Sequence, residues 1–152
     1  MAGNIVYAGG TFDLFHAGHA DFFRACRYIA GSGGKVVVAL NQDEFVSRFK
    51  GHPPVCSYWE RRDALLACRY VDDVVPNIYD ENSTKTIEKV RPNFIAVGDD
   101  WAGDQSRYCK QMGFGPRWLI ENGIQLVFIA RQRPLSSTQI KNRIWARKSI
   151  DG

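Results

Sequence analysis

Short apolar runs alternate with amphipathic segments along this chain, and turn-forming residues bound most of the runs. Alternation of this kind is typical of a parallel sheet whose strands are joined by helices. The runs that predict strands are Asn4–Ala8, Lys35–Leu40, Asp73–Pro76, Asn93–Val97 and Gln125–Ala130. The segments that predict helices are Ala17–Ala30, Asp43–Phe49, 58–69, Thr84–Val90 and Thr138–Arg147. The pattern therefore predicts an α/β fold, in which a central parallel five-stranded sheet carries helices on both faces.

Turn and cap residues mark the element boundaries. Gly9–Gly10 is expected to end the first strand, and Ser57, with a glutamate three residues later, forms the capping box of a helix. Ser136 or Ser137 caps the last helix. The stretch Gly98–Gly123 is longer than a plain crossover, and we expect helical pieces in it around positions 105 and 118.

Composition narrows the class of protein. A length of 152 residues predicts one domain over 1–152, and 45% hydrophobic with 24% charged residues excludes a disordered chain or a coiled coil. Lys and Arg total 20 against 16 acidic residues, a net charge of +4 that favours an anionic partner such as a nucleotide or phosphate ester.

Cysteine spacing and apolar run lengths exclude other classes. The four cysteines (Cys26, Cys56, Cys68 and Cys109) form neither a redox pair nor a zinc-site pattern, so we expect reduced packing residues. No apolar run approaches the ~18 residues of a membrane span, and the first residues lack a secretory leader pattern, so a cytoplasmic protein is expected. The aromatic residues fall mostly in apolar runs, which favours a core over an RNA-binding module, and no nucleic-acid partner is predicted.

The first candidate site follows the first predicted strand. The segment Gly9–His19 lies where open α/β sheets bind ligands, and it opens a helix whose N–H groups favour phosphate. His16 and His19 are three residues apart and face the same way on a helix. Two such imidazoles can donate hydrogen bonds to a phosphate in its transition state. The alternative is that both are polar residues of a helix cap.

Two further segments carry candidate chemistry. Arg131 and Arg133 precede a hydroxyl-rich helix start, and this combination favours the β and γ phosphates of a nucleotide over an ordinary exposed basic helix. Gly98–Trp101 follows the fourth predicted strand, and a carboxylate in it can accept a hydrogen bond from the exocyclic amine of cytosine, while its indole can cover a base or substrate. A simple turn that closes a strand is the alternative for this second segment.

The segment GTFDLFHAGH resembles the HxGH signature of the nucleotidyltransferase superfamily. The whole chain is similar to the glycerol-3-phosphate cytidylyltransferase branch, because the resemblance extends in order through ALNQDEF, RYVDDVVP, GDDW and RQRPLSSTQIK, over roughly residues 4–147. It implies a Rossmann-like domain that transfers CMP from CTP to a phosphorylated alcohol such as glycerol 3-phosphate, releases pyrophosphate and uses Mg²⁺. The alternative is an adenylyltransferase of the same fold, which would use ATP and a sugar phosphate or cofactor precursor.

The resemblance also implies roles for the residues that match the family's motifs. Implied catalytic residues are His16, His19, Lys50 and Arg131. Implied nucleotide-binding residues, besides the two histidines, are Gly10, Thr11, Phe12, Asp13, Gly98, Asp100, Arg131, Ser136, Ser137 and Thr138. Implied substrate-binding residues are Lys50, Arg61, Asp72 and Trp101. No metal ligand is certain: Asp13 is a candidate, although it can equally orient its loop, and Mg²⁺ is expected to bind mainly through phosphates.

Three expectations remain open at this stage. Arg62 is the adjacent rival of Arg61 for the phosphate contact. The segment RYVDDVV resembles the one that pairs subunits in this branch, which implies a homodimer. The segment 103–123 is longer than its counterpart in the compact glycerol-phosphate enzyme, and we expect it to cover the second substrate.

Overall fold

A computed structural model of the chain describes residues 3–77 and 82–151. Their strands are β1 (Ile5–Gly10), β2 (Lys35–Asn41), β3 (Asp73–Asn77), β4 (Phe94–Gly98) and β5 (Gln125–Ile129). Their helices are α1 (Ala17–Ala30), α2 (Asp43–Lys50), α3 (Tyr58–Leu66), α4 (Thr84–Val90), α5 (Gln105–Met112), α6 (Pro116–Glu121) and α7 (Ser137–Asp151), with a 3-10 turn at Asp99–Trp101.

All five strands belong to one parallel sheet in the order β3-β2-β1-β4-β5. The predicted five-stranded α/β fold is therefore confirmed. Because β1 lies at the centre, β2 and β3 are on one side of it and β4 and β5 on the other. Parallel strands end at the same edge of a sheet, so the segments that follow them meet there.

Two apolar layers show that helices cover both faces of the sheet. On one face, Val36 and Val38 pack with Phe23 of α1 and Leu65 of α3. On the other face, the core consists of Tyr7, Ala39 and Ile95 packed with residues of α4, α5 and α6, namely Ile87, Tyr108, Cys109 and Leu119. Successive strand residues point to opposite faces, so a run such as KVVVAL has to be apolar throughout.

Three predicted boundaries are wrong. The last helix extends to Asp151 rather than ending at Arg147. Gly9–Gly10 does not end the first strand, because both glycines continue the ladder opposite Ala39 and Leu40 of β2. The third helix ends at Leu66 rather than near 69, because Cys68 N–H donates to the Leu65 carbonyl at 3.0 Å and turns the chain toward β3.

The capping box at Ser57 is confirmed: its hydroxyl accepts from Glu60 N–H and the Glu60 carboxylate accepts from Ser57 N–H. The helical pieces near 105 and 118 are α5 and α6.

Candidate functional site

A cavity of about 560 Å³ opens at the carboxyl edge of the sheet. The segments after β1, β2, β4 and β5 line it, together with the last residue of β3. The first loop and the start of α7, which are more than a hundred residues apart in sequence, therefore face one shared space.

The two histidines stack at the start of α1, with ring centroids 3.8 Å apart and ring planes 23° apart. His16 is the N-cap: its Nδ1 accepts from Gly18 N–H at 3.0 Å, while His19 Nδ1 accepts from His16 N–H at 3.2 Å. A neutral imidazole that accepts at Nδ1 carries its proton at Nε2. The helix cap therefore fixes both rings as Nε2–H donors, so the cap and the candidate site are the same pair of residues.

Both imidazoles are held neutral at pH 7. Burial, reinforced by the positive charge of Arg131, lowers the pKa of His16 below its ordinary value. Burial and the neighbouring His16 lower the pKa of His19 to about 4, against an opposing effect of Asp13. The Nε2 atom of His16 is buried and has no hydrogen-bond partner within residues 3–77 and 82–151. A buried donor without an acceptor is rare in proteins, and a ligand oxygen would satisfy it.

Glycine is required between the histidines because the imidazole packs against the backbone. A Cβ atom at Gly18 would lie 2.8 Å from Cε1 of His16 and 3.2 Å from the carbonyl oxygen of Leu135. The preceding loop is also strained, since Phe12 and Leu14 adopt φ angles of 50° and 51°. Strained backbone of this kind clusters at functional sites.

Asp13 joins the first loop to two other segments. Its buried carboxylate accepts from Val55 N–H at 2.7 Å and Cys56 N–H at 2.9 Å, and its carbonyl accepts from the Ser137 hydroxyl at 2.7 Å. Both carboxylate oxygens are thus engaged in orienting the loops. No group of three or more His, Cys, Asp or Glu side chains in the described part of the chain could hold a metal ion.

Four cationic side chains line the cavity: Lys50, Arg131, Arg133 and Lys141. Arg131 contacts the Asp100 carboxylate at 3.0 and 3.3 Å, so the segments after β4 and β5 are joined across the cavity. Lys141 lies 4.0 Å from the Asp13 carboxylate and was not among the predicted site residues. It stands four residues after Ser137, a spacing that brings both to one helix face and could have indicated it.

Arg133 pairs with a carboxylate, although its position beside the predicted phosphate-binding segment suggests a contact with phosphate. Its guanidinium forms two hydrogen bonds, at 2.6 and 3.1 Å, with the carboxylate of Asp21, which is buried in α1. The ion pair compensates the charge of Arg133 and fastens the segment before α7 to α1.

All but two of the predicted site residues line the cavity in the described structure. The first exception is Arg61, which was expected to contact substrate. Its side chain is fully buried, and its N–H groups donate to the carbonyls of Thr11, Asn41 and Cys56 at 2.8–3.0 Å and to the Asp43 carboxylate at 2.6 Å. Because these four oxygens occupy the guanidinium, Arg61 holds the loops of the site together and has no face for a phosphate.

The second exception is Asp72. It lies before β3, at the amino edge of the sheet, where its carboxylate accepts from Val36 N–H at 2.7 Å and Arg27 at 2.6 Å. The cavity is at the opposite, carboxyl edge. The expectation of a substrate contact is wrong, and Asp72 instead joins the starts of β2 and β3 to α1.

The model of a family described as cytidylyltransferase-like matches residues 7–143. The chain belongs to the cytidylyltransferase-like family. Within the nucleotidyltransferase superfamily it is 33% identical over 142 residues to an FAD synthase of Pyrococcus horikoshii, covering 91% of this chain and 90% of that protein. It is 40% identical over 103 residues to an FAD synthase of Pyrococcus abyssi, covering 66% and 68% of the two chains.

Another relative in the superfamily is an ethanolamine-phosphate cytidylyltransferase of Arabidopsis thaliana, 42% identical over 104 residues, which are 68% of this chain and 24% of that protein. The crystal structure of a lipopolysaccharide core biosynthesis protein from Thermoplasma volcanium is similar with a TM-score of 0.65 at 20% identity, over 87% of this chain and 98% of that one. This likeness supports the fold. Among the described helices, none has the length and apolar character that crossing a membrane requires.

Proposed function

We propose that this protein transfers CMP from CTP to a phosphorylated alcohol such as glycerol 3-phosphate and releases pyrophosphate. The observation that carries the proposal is the shared cavity, in which two neutral Nε2–H donors face the same space as the cations and hydroxyls of segment 131–141. A triphosphate that spans this space meets donors at both of its ends. The family match supports a reaction of this class.

The chemistry requires no covalent intermediate on the enzyme. An oxygen of the acceptor phosphate attacks the α-phosphorus of CTP, the bond from that phosphorus to the bridging oxygen breaks, and pyrophosphate leaves opposite the incoming oxygen. His16 and His19 hydrogen-bond the α-phosphate and stabilise the charge that grows on it. Lys50, Arg131 and Lys141 offset the remaining charge, and Thr138 with the N–H groups at the start of α7 holds the departing pyrophosphate.

We assign the binding of the cytosine base to Asp99–Trp101, the turn after β4. Asp100 lines the cavity with a largely exposed carboxylate, which can accept from the cytosine amine while Arg131 holds it in place. Trp101 stands beside it, braced by the guanidinium of Arg107 at 4.5 Å from the ring centroid.

Magnesium fits this site only through the substrate. The carboxylate of Asp13 is engaged with backbone N–H groups, so Mg²⁺ would be held by phosphate and water oxygens, a mode that suits a cation needing few protein carboxylates. When bound, the ion supplies charge neutralisation of the phosphates.

The test is an incubation of the purified protein with Mg²⁺ and either CTP or ATP, each paired with glycerol 3-phosphate, phosphoethanolamine, a sugar phosphate or FMN. Pyrophosphate release is measured and the products are identified by mass spectrometry. The proposal expects CDP-glycerol from CTP as the fastest reaction. Fastest turnover of ATP with FMN or a sugar phosphate would refute it, as would an absence of pyrophosphate release from every pair.

Adenylyl transfer from ATP to a flavin or another phosphorylated precursor is the second candidate. A specific observation favours it: the similarity to the Pyrococcus horikoshii FAD synthase extends over nine-tenths of both chains. The same incubation separates the two candidates, because they predict different nucleotides and different product masses.

We also propose a homodimer that forms through the segment 69–75. Light scattering during size-exclusion chromatography tests it: a mass near 34 kDa, twice the chain's 17.2 kDa, is expected, and a mass near 17 kDa would refute it.

A further inference from the structure

Part of the cavity is left over when the nucleotide occupies the part proposed for it. The base and pyrophosphate positions follow β4 and β5, on one side of the central strand. On the other side of β1, the cavity continues over the ends of β2 and β3, where Asn41 and Asn77 line it.

The direction of the reaction assigns this second part of the cavity to the acceptor. The attacking and leaving oxygens of a phosphoryl transfer lie roughly opposite each other across the phosphorus. With pyrophosphate at the start of α7 and the α-phosphate at the central histidines, the attacking phosphate enters from the side of β2. Lys50, at the end of α2, lines this side and can meet the acceptor's charge.

The ends of β2 and β3 carry a chain of neutral hydrogen-bonding groups. Asn77 Nδ2 donates to Asn41 Oδ1 at 3.1 Å, and Asn41 Nδ2 donates to the Thr11 hydroxyl at 3.2 Å. The Thr86 hydroxyl donates to Asn77 Oδ1 at 3.3 Å. These contacts fix the orientation of both amides.

The fixed amides keep capacity for a ligand. Each carboxamide has two N–H donors and an oxygen with two lone pairs, and each side chain uses one donor and one lone pair in this chain of contacts. Within residues 3–77 and 82–151, one N–H and one lone pair of each side chain therefore remain without a partner. A hydroxyl group, which both donates and accepts, is the ligand that matches such a pair.

We propose, resting on the function proposed above, that Asn41 and Asn77 form an acceptor subsite that binds alcohol hydroxyls and selects a short polyol monophosphate. The acceptor's phosphate lies toward Lys50 and the histidines, and its hydroxylated carbons extend toward the two amides. Phe45 and Val46 of α2 also line the cavity and provide apolar contact for those carbons.

The first test uses the unmodified protein and two acceptors that differ only in their hydroxyls. With CTP and Mg²⁺, kcat/KM is measured for glycerol 3-phosphate and for propyl phosphate, which lacks both hydroxyls. A site built to hydrogen-bond hydroxyls should prefer glycerol 3-phosphate by about 10²-fold or more. A preference below about threefold overturns the subsite while CMP transfer itself still stands.

The second test uses variants that should reduce the preference for glycerol 3-phosphate over propyl phosphate. Asn77→Leu and Asn41→Leu should raise KM for glycerol 3-phosphate by about tenfold or more, with a much smaller change in KM for CTP, and should reduce the preference over propyl phosphate. Asn142→Leu, at an exposed position of α7, is the matched control and should keep the preference. If either variant does not fold, the comparison of the two acceptors on the unmodified protein still decides the proposal.

Failure of the proposed function gives a different result. CMP transfer to neither phosphate, with pyrophosphate released from another pair of substrates, overturns the function and the subsite together. Transfer to both phosphates at similar rates overturns the subsite alone. An unchanged preference in both asparagine variants also overturns the subsite.

Discussion

Replacement of Arg61 tests whether this residue holds the site together or contacts substrate. Arg61→Met keeps most of the aliphatic volume and removes the guanidinium. The change leaves three backbone carbonyls and the Asp43 carboxylate without their shared donor. The carboxylate can regain water because about a third of that side chain is exposed, whereas the carbonyls of Thr11, Asn41 and Cys56 depend on rearranged loops.

The expected loss of stability can be calculated from these contacts. An unsatisfied buried acceptor costs about 1–3 kcal/mol, and removing one partner of a buried ion pair costs about 3–5 kcal/mol. Partial hydration of Asp43 argues for the lower part of that range, so we expect Arg61→Met to reduce the free energy of unfolding by about 3–4 kcal/mol. Urea denaturation followed by circular dichroism measures it.

Arg62→Met is the matched control, because Arg62 is the next residue and its side chain is about one-third exposed. It contacts Asp63 at 3.4 Å and the ring of Trp59, and a surface contact of this kind is worth less than about 1 kcal/mol. If Arg61→Met is as stable as Arg62→Met and instead weakens CTP or acceptor binding, Arg61 is a substrate contact and the reasoning fails.

Three further predictions concern the start of α1. His16→Ala should lower kcat by about 10²–10³ with a smaller change in CTP binding, measured by pyrophosphate release; turnover near the unmodified rate would contradict the donor role. His19 should titrate near pH 4 in proton NMR. Because its folded pKa lies below the unfolded value, the unfolded chain takes up the proton first, and stability should fall as pH drops from about 6.5 toward 4; a midpoint near 6.5 would contradict this. Gly18→Ala should cost about 1–3 kcal/mol in a thermal denaturation, because the added Cβ lies 2.8 Å from the His16 ring, whereas Gly103→Ala, with nothing within 4 Å, should cost little. Equal melting temperatures for the two glycine variants would refute the packing argument.

The sheet could be predicted because the amino-acid sequence of each strand reflects the surroundings of that strand. A buried parallel strand contacts helices on both faces, so its residues are apolar in a continuous run that stands out in the sequence. Gly9–Gly10 was misassigned for a related reason. Glycine carries no local signal for pairing, and the two residues are strand only because β2 stands beside them.

The site could be predicted in part for a similar reason. His16, His19 and Gly18 act within one turn, so their spacing is visible in the sequence. Arg61 was misassigned because the sequence does not distinguish a buried arginine from one that binds phosphate. The carbonyl and carboxylate partners of Arg61 lie up to fifty residues away along the chain. Asp72 was misassigned because the sequence around a strand does not show whether a flanking residue lies at the amino edge or the carboxyl edge of the sheet. Lys141 was missed because its relation to Asp13 exists only after α7 has docked on the first loop.

The central claim is that the first loop and the start of α7 close around one triphosphate. A crystal structure with a CTP analogue that carries a methylene group between the α and β phosphorus atoms tests it most directly. We predict α-phosphate oxygens within about 3 Å of Nε2 of His16 and His19, with the β and γ phosphates against residues 131–141. A triphosphate that contacts one of these segments and leaves the other in water would contradict the account.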